Sequence, residues 1–162
     1  MTDHPDRPEA EPGRYTGYLI RRAQQLHVAA WMRLVSTETT SVQYSVLVVV
    51  DQDGPMSQRE LCDKVDLDRS TITDLLTRME RRGLILRRPD PEDGRRKSVV
   101  LTDEGRAERR RLRPLVEQVE KELTSALTGA EREALRDALR SMLDGSRPPS
   151  TADTRRAHAS RA

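Results

Sequence analysis

The feature that most constrains the fold is the chain between residues 57 and 102. Ser57, with Glu60 three residues later, forms a capping-box pattern that predicts the start of a short helix. Asp68 has a typical N-cap side chain, and the apolar positions after it predict a second helix that stops at Gly83. Two helices joined by a three- or four-residue turn predict a helix-turn-helix, although an ordinary helical hairpin has the same pattern.

A β-hairpin pattern follows these two helices. The runs LILRR (84–88) and KSVVLT (97–102) are strand-like, and the PDPEDGR segment between them contains the Pro, Asp and Gly of a hairpin loop. A hairpin directly after a helix-turn-helix is a wing. The sequence therefore favours a winged helix-turn-helix over a helical hairpin.

Positive charge is concentrated around the predicted wing. Residues 78–113 carry thirteen Arg and Lys against seven Asp and Glu, although the formal net charge of the whole chain is only +2. Such a patch is typical of nucleic-acid binding. We predict that Arg95 and Arg96 at the hairpin tip enter a minor groove, with Asp93 orienting Arg95 through a bidentate pair. Solvated loop charges are the alternative interpretation.

The second predicted helix carries polar side chains on its first turns. We predict that Arg69, Ser70, Thr71 and Thr73 are exposed there and contact double-stranded DNA in the major groove. The alternative function is a winged-helix protein-interaction or architectural module that has no small-molecule effector. Such a module has no need of cations at its wing tip.

Amphipathic patterns flank the predicted winged domain. Apolar residues recur at helical spacing over residues 15–35, and again after residue 105. Thr128 with Glu131 is a second capping box that opens a last helix before Gly145. The run TTSVQYSVLVVV is too short for periodicity to separate helix from strand, and we interpret it as a helix.

The composition indicates that these outer helices need a partner. Aromatic residues make up only 2% of the chain, Phe is absent, and charged residues make up 35%, so the core is modest for the chain length. We predict a two-fold homodimer that clasps through these helices. Its two recognition helices would lie roughly 34 Å apart and read a pseudo-palindromic site.

With its elements in this order, the sequence resembles the MarR (multiple antibiotic resistance regulator) family. The segment LDRSTITDLLTRMERRGLILRRPDPEDGRRKSVVLTDEG (67–105) looks like that family's recognition helix and wing, with a D-x-R tip and a closing LT-x-x-G. The resemblance covers roughly residues 15–144. It implies a mainly α fold with a small β-hairpin wing, in which N- and C-terminal helices form a dimerisation domain. It further implies a homodimeric regulator, usually a repressor, that a small aromatic or phenolic acid releases from DNA.

By position, the resemblance also assigns roles to individual residues. The residues that match the family's recognition helix are Arg69, Ser70, Thr71 and Thr73, and those that match its wing tip are Asp93 and Arg95. Within the family, the subgroup that responds to aromatic carboxylates uses an Arg and a His on the first helix, which here correspond to Arg21 and His27.

An effector site of this kind would combine Arg21, His27 and Trp31 with Tyr44. A guanidinium matches a carboxylate bidentately, and an indole offers a stacking wall. At about 100° per residue His27 and Trp31 share a helix face, but Arg21 lies roughly 120° from His27, so a second subunit would have to help. Alternatively, Arg21 and Arg22 form surface or interface ion pairs and Trp31 belongs to the core.

Other classes of function have little support in the sequence. The three histidines are scattered, at His4, His27 and His158, so no spacing suits zinc, and we expect no metal or cofactor. No Ser-His-acid arrangement or Gly-rich phosphate loop indicates an enzyme. Cys62 is the only cysteine, which excludes an intrachain disulfide, and its place in a helix predicts burial.

The chain is thus predicted to have four parts. Residues 1–13 and 146–162 are poor in apolar side chains and are predicted to be disordered tails. Residues 14–40 and 104–145 are predicted to form the helical dimerisation region, and 41–103 the winged DNA-binding domain. Because the chain has neither a signal-peptide pattern nor an apolar run of membrane-spanning length, we expect a cytoplasmic protein that does not bind membranes.

Overall fold

The computed structural model describes residues 11–89 and 97–146, and it divides into a unit ending at Leu123 and a unit beginning at Thr124. The fold is mainly α with a small antiparallel sheet, as predicted. The first unit contains α1 (Thr16–Leu34), α2 (Ser41–Asp53), β1 (Met56–Ser57), α3 (Gln58–Val65), α4 (Arg69–Arg81), β2 (Ile85–Pro89), β3 (Lys97–Leu101) and α5 (Asp103–Leu123). The second contains α6 (Gly129–Ser146).

The predicted helix-turn-helix is confirmed, with α3 and α4 as its helices. The Ser57 hydroxyl accepts a hydrogen bond from the Glu60 N–H at 3.2 Å, and the Ser57 N–H donates to the Glu60 carboxylate at 2.8 Å. Asp66, the C-cap of α3, adopts a left-handed conformation with φ of 52°. Asp68 then caps α4, so only three residues separate the two helices.

The wing has three strands rather than the two predicted. The strand order is β1-β3-β2, and both pairings are antiparallel. Met56 of β1 pairs with Val99 of β3, and Ile85 of β2 pairs with Leu101. Because β1 has only two residues, it shows no alternation that a sequence pattern could detect.

One hydrophobic core joins the helix-turn-helix to the wing. It contains residues from α2, α3, α4 and all three strands, among them Val46, Leu47, Leu61, Ile72, Leu76, Met79, Ile85 and Val99. Cys62 packs partly buried against this core, and burial raises the pKa of its thiol. A raised pKa disfavours the reactive thiolate, so a packing role fits Cys62. The side chain is half-buried rather than fully buried as predicted.

The closing LT-x-x-G motif ties the end of α4 to the start of α5. The Thr102 hydroxyl donates to the Gly83 carbonyl at 2.6 Å and accepts from the Gly105 N–H at 2.9 Å. A Cβ added to Gly105 would lie 2.0 Å from the carbonyl oxygen of Leu84. The motif therefore requires glycine, because any side chain would push α5 away from this loop.

A second, smaller core joins α1 to α5. It consists of Ala30, Trp31 and Val35 packed against Leu112 and Val119. These α1 residues all lie at or near its C-terminal end, and much of the rest of α1 exposes its apolar side chains. The large apolar residues that α1 leaves exposed are Leu19, Ile20, Leu26, Val28 and Met32.

The two ends of the described chain extend slightly beyond the predicted helical region. Residues Glu11–Arg14, three of them assigned to the N-terminal tail, form a 3₁₀ turn in which the Tyr15 N–H donates to the Pro12 carbonyl at 3.2 Å. Thr128 and Glu131 form the predicted capping box of α6. Within the described residues, no helix is both long and apolar enough to cross a membrane.

Candidate nucleic-acid interface and aromatic site

The start of α4 is fixed by its N-cap, Asp68. The Asp68 carboxylate accepts the backbone N–H groups of Ser70 and Thr71, both at 2.9 Å, and their hydroxyls at 2.5 Å. These bonds, from the Ser70 hydroxyl above all, hold the pKa of Asp68 well below its usual range. Arg69, Ser70 and Thr71 are exposed, as predicted for residues that read DNA.

Thr73 differs from the other predicted recognition residues. It is half-buried, and its hydroxyl accepts a hydrogen bond from the Gln58 amide at 2.6 Å and donates one to the Arg69 carbonyl at 2.7 Å. The prediction that Thr73 is exposed was therefore wrong, because this side chain is used to join α4 to α3. A direct contact of Thr73 with DNA remains a prediction.

The wing is held directly against α4. The Arg87 backbone N–H in β2 donates to the Glu80 carboxylate at 3.2 Å, and its guanidinium donates to the Thr77 hydroxyl at 2.9 Å. The helix and the base of the wing are thus bonded to each other. The predicted tip residues Asp93, Arg95 and Arg96 lie outside the described residues.

Three of the four predicted effector residues lie together. The ring centroids of His27 and Trp31 are 5.9 Å apart, and those of Trp31 and Tyr44 are 5.8 Å apart. Trp31 is only 5% exposed, and its indole Nε1 donates to the Thr39 carbonyl at 2.8 Å. We call His27, Trp31 and Tyr44 the aromatic cluster. Trp31 belongs to the core, whereas His27 and Tyr44 are only half-buried and leave part of the cluster accessible.

Arg21 does not share this environment. Its guanidinium carbon lies 5.2 Å from the ring centroid of Tyr18, in the geometry of a cation–π contact, and the residue is exposed. The predicted separation of Arg21 from His27 around α1 fits this contact. Within one chain, therefore, the aromatic cluster and the predicted carboxylate-binding arginine are not assembled.

Two cavities lie beside α2, one near each of its ends. One of about 230 Å³ lies between the start of α2 and α4, lined by Thr40, Gln43, Thr71, Asp74, Leu75 and Arg78. The other, of about 490 Å³, runs between the end of α2, the wing and the start of α5, and its lining includes Asp51, Leu86, Arg88, Glu104 and Arg106. Neither is lined by the aromatic cluster or by Arg21. No three metal-ligating side chains cluster among the residues that the structure describes.

Comparison with known proteins decides the family. The model of the MarR family matches residues 39–97. The chain is 33% identical over 106 residues to the HTH-type transcriptional repressor NicR of Pseudomonas putida, an alignment that covers 65% of this chain and 67% of NicR. The chain belongs to the MarR family.

Two solved structures of similar proteins extend this result to the fold. The PcaV transcriptional regulator from Streptomyces coelicolor, in complex with its natural ligand, has a TM-score of 0.81 and 36% identity, over 87% of this chain and 100% of PcaV. Bordetella bronchiseptica BpsR, whose DNA binding is regulated by 6-hydroxynicotinic acid, has a TM-score of 0.79 and 31% identity, over 85% and 99%. This MarR-family protein is a DNA-binding transcriptional regulator. It is therefore interpreted neither as an enzyme nor as a purely architectural module.

A set of polar contacts in this MarR-family chain was not predicted from the sequence. Arg82, at the end of α4, donates to the Glu38 carbonyl at 2.9 Å and to the Thr39 hydroxyl at 3.0 Å. Thr40 and Gln43 form a further capping box at the start of α2. That box has the T-x-x-Q signature and could have been found from sequence, whereas no pattern links Arg82 to a loop more than forty residues earlier.

Proposed function

We propose that this protein is a homodimeric repressor, acting in the cytoplasm, which binds a pseudo-palindromic operator and is released by a small aromatic or phenolic carboxylate. The observation that carries the effector part is the aromatic cluster, with successive ring centroids 5.9 and 5.8 Å apart, in a chain similar to BpsR. A group of tilted aromatic rings that includes a half-buried histidine suits a planar ligand with polar substituents.

The DNA side of the proposal rests on α4 and the wing. The exposed Arg69, Ser70 and Thr71 would contact base edges and phosphates in the major groove. Arg95 and Arg96 would enter the adjacent minor groove, with Asp93 orienting Arg95. Under this proposal residues 41–103 form the DNA-binding domain.

The dimer part of the proposal rests on the apolar side chains that α1 exposes. Leu26 is 60% exposed and Met32 is 58% exposed, although both are large and apolar. Large apolar side chains left exposed along one helix indicate an interaction surface. We infer that residues 14–40 and 104–145 form the dimerisation region and that a second copy covers this surface.

A second copy would also complete the effector site. Arg21 is exposed on α1, stacked on Tyr18 rather than turned toward the aromatic cluster of its own chain. In a two-fold dimer, Arg21 of one copy would take the carboxylate of a ligand that stacks on Trp31 of the other. The pairing is bidentate and charge-assisted, the strongest form of carboxylate recognition available to the side chains here.

Release of DNA would follow from a population shift. A ligand lodged between the helices of the dimer favours a spacing of the two α4 helices that no longer fits successive major grooves, and its differential affinity for that state supplies the driving force. By linkage, DNA and the ligand weaken each other's binding by the same factor.

Calorimetric titration with a panel of hydroxybenzoates and hydroxycinnamates tests the effector. At least one should bind the wild-type protein and lower its affinity for an operator duplex. Arg21→Ala should weaken that binding by about tenfold or more, since a charge-assisted pair is lost. Arg22→Ala, its exposed neighbour on α1, is the matched control. If no compound binds, or if Arg21→Ala binds equally well, the aromatic-acid assignment fails.

The wing is tested by Arg95→Ala in DNA-binding titrations at several salt concentrations. Loss of a groove contact should weaken operator binding by about 1–3 kcal/mol. Unchanged affinity at every salt concentration would exclude a role of Arg95 in the groove.

A further inference from the structure

A hydrogen-bond hub with a buried centre joins the end of α4 to the aromatic cluster. Its centre is Thr39, in the loop between α1 and α2, which is 0% exposed. The Thr39 hydroxyl accepts a hydrogen bond from Arg82 Nη2 at 3.0 Å and donates one to Glu108 Oε1 at 2.9 Å. The Thr39 carbonyl accepts one from Trp31 Nε1 at 2.8 Å. A single residue therefore contacts α4, α5 and the aromatic cluster at once.

Arg82 fixes the α4 side of this hub. It is the C-cap of the helix, and its backbone N–H donates to the Arg78 carbonyl at 3.1 Å. Its guanidinium bonds the Thr39 hydroxyl, the Glu38 carbonyl at 2.9 Å and, more weakly, the Gln43 amide oxygen at 3.4 Å. A planar guanidinium held at several points has one orientation, so α4 cannot rotate at this end without moving the loop or breaking these bonds.

The loop is equally constrained on the aromatic side. The Thr39 N–H donates to the Ser36 hydroxyl at 2.9 Å, so both backbone groups of Thr39 are bonded. A shift of the Trp31 indole must carry the Thr39 carbonyl with it or leave a buried N–H unpaired. Because unpaired buried groups are costly, the hub favours concerted movement of Trp31, Thr39 and Arg82.

We propose that Arg82 is a positioning residue for the effector response. Arg82 acts through Thr39 and makes the orientation of α4 depend on the orientation of Trp31. The role of this coupling in the effector response rests on the proposed effector site. The coupling between Trp31 and α4 does not depend on that site. A ligand that stacks on Trp31 would displace the Thr39 carbonyl and hence α4. By reciprocity, DNA bound on α4 changes the surroundings of Trp31.

The reciprocal effect can be measured without any effector. Trp31 is the sole tryptophan of the chain, so tryptophan emission reports on this residue alone. The probe is a DNA duplex enriched from a random-sequence pool by the wild-type protein. Saturating duplex should change the Trp31 emission of the wild type. Arg82→Gln should lose most of that change while it still binds the duplex within about tenfold of wild type, because its contacts lie away from the proposed DNA-reading residues.

Arg81→Gln is the matched control, because Arg81 is the preceding residue of α4, exposed, and loses the same charge. It should keep the full emission change. The proposal is overturned if duplex leaves Trp31 emission unchanged in the wild type. It is also overturned if Arg82→Gln responds fully, or if Arg81→Gln loses the response to the same extent.

Substitutions of Thr39 test the hub independently and decide the matter if Arg82→Gln does not fold. Thr39→Val keeps the side-chain volume but removes the hydroxyl, and it should lose the emission change. Thr39→Ser keeps the hydroxyl and should restore the change. Equal responses from folded Val and Ser variants would contradict the proposal.

The effector assignment and the coupling fail in different ways. If duplex changes Trp31 emission through Arg82 but no aromatic acid binds, the coupling stands and the proposed effector is wrong. If an aromatic acid binds and releases duplex equally well from wild type and Arg82→Gln, the effector stands and the coupling is refuted.

Discussion

The winged helix-turn-helix and helix α1 differ in how well a single chain buries their apolar side chains. The winged unit has a closed core in which Leu47, Leu76 and Ile85 are fully buried. Helix α1 contributes only Ala30 and Trp31 of its own residues to the buried core, and a row of large apolar residues along it stays exposed. Both segments are amphipathic in sequence, yet only the winged unit finds enough apolar partners in the same polypeptide.

This difference in burial fits two different roles for the winged unit and for α1. A unit that is closed within one chain can present α4 and the wing as a rigid reading surface. A helix with an uncovered apolar face depends on another molecule, and its position can respond to what covers it. Three of the four proposed effector residues, Arg21, His27 and Trp31, lie on this open helix, and Tyr44 lies on α2. The predicted recognition residues of α4 lie on the closed unit.

Gly105→Ala should have the largest effect of these substitutions, because it should destabilise the contact between the winged unit and the start of α5. The new Cβ would lie 2.0 Å from the Leu84 carbonyl oxygen, a backbone atom that cannot step aside. We expect a loss of about 3 kcal/mol or more in the free energy of unfolding, measured by urea denaturation. Gly129→Ala, where a Cβ would meet nothing within 4 Å, is the control and should be nearly neutral. A stable Gly105→Ala variant would show that α5 does not dock on this loop.

Leu26→Glu should weaken the proposed dimer contact of α1 without unfolding the winged helix-turn-helix. A carboxylate placed in an apolar dimer interface must be desolvated, so we expect the dimer dissociation constant to rise by about tenfold or more, roughly 1.4 kcal/mol. Sedimentation equilibrium measures it. Gln25→Glu adds the same charge at the preceding exposed position and should have a smaller effect. Equal effects of the two substitutions would argue that Leu26 is not in the interface.

Arg69→Ala should weaken DNA binding and leave dimerisation unchanged. Arg69 is the first residue of α4 and is exposed, so its loss should cost about 1 kcal/mol of operator affinity, in titrations followed by fluorescence anisotropy of labelled duplex. Arg113→Ala, an exposed arginine of α5, is the charge-matched control. The assignment of α4 as the reading helix would be contradicted if Arg113→Ala weakened binding more than Arg69→Ala.

The smallest predicted effect concerns pH and the cap of α4. The hydroxyl and N–H groups of Ser70 and Thr71 lower the pKa of Asp68 in the folded state. A lowered folded pKa means that Asp68 stabilises the fold above its unfolded pKa of about 3.9 and loses that contribution as pH falls below it. The stability difference between wild type and Asp68→Asn, from thermal unfolding, should therefore begin to shrink below about pH 5 and continue to shrink down to about pH 1. A constant difference would contradict the charged cap.

The parts of the fold that local rules determine were predictable from sequence. Helix starts at Ser57, Asp68 and Thr128 are capping signals that act over three residues, and the structure shows each of them. The winged helix-turn-helix followed from the order of these signals. Strand β1 could not be predicted from these signals, because Met56 and Ser57 pair with β3 only once the whole domain has folded.

The candidate site was predictable only where residues share one helix face. His27 and Trp31 are four residues apart, so α1 places their rings together, and Tyr44 joined them by resemblance rather than by pattern. The exposure of Thr73 was mispredicted because its partner Gln58 lies on another helix. The Thr39 hub left no sequence signal, since it depends on packing between α1, α4 and α5.

The central claim is that each chain holds one complete DNA-reading unit and one incomplete helix face that a second copy covers. Sedimentation equilibrium of the 162-residue chain, alone and with a selected duplex, tests it most directly. The account predicts a particle of twice the 18.5 kDa chain mass at micromolar concentration and two chains on each duplex. A stable 18.5 kDa monomer that binds duplex one chain at a time would contradict it.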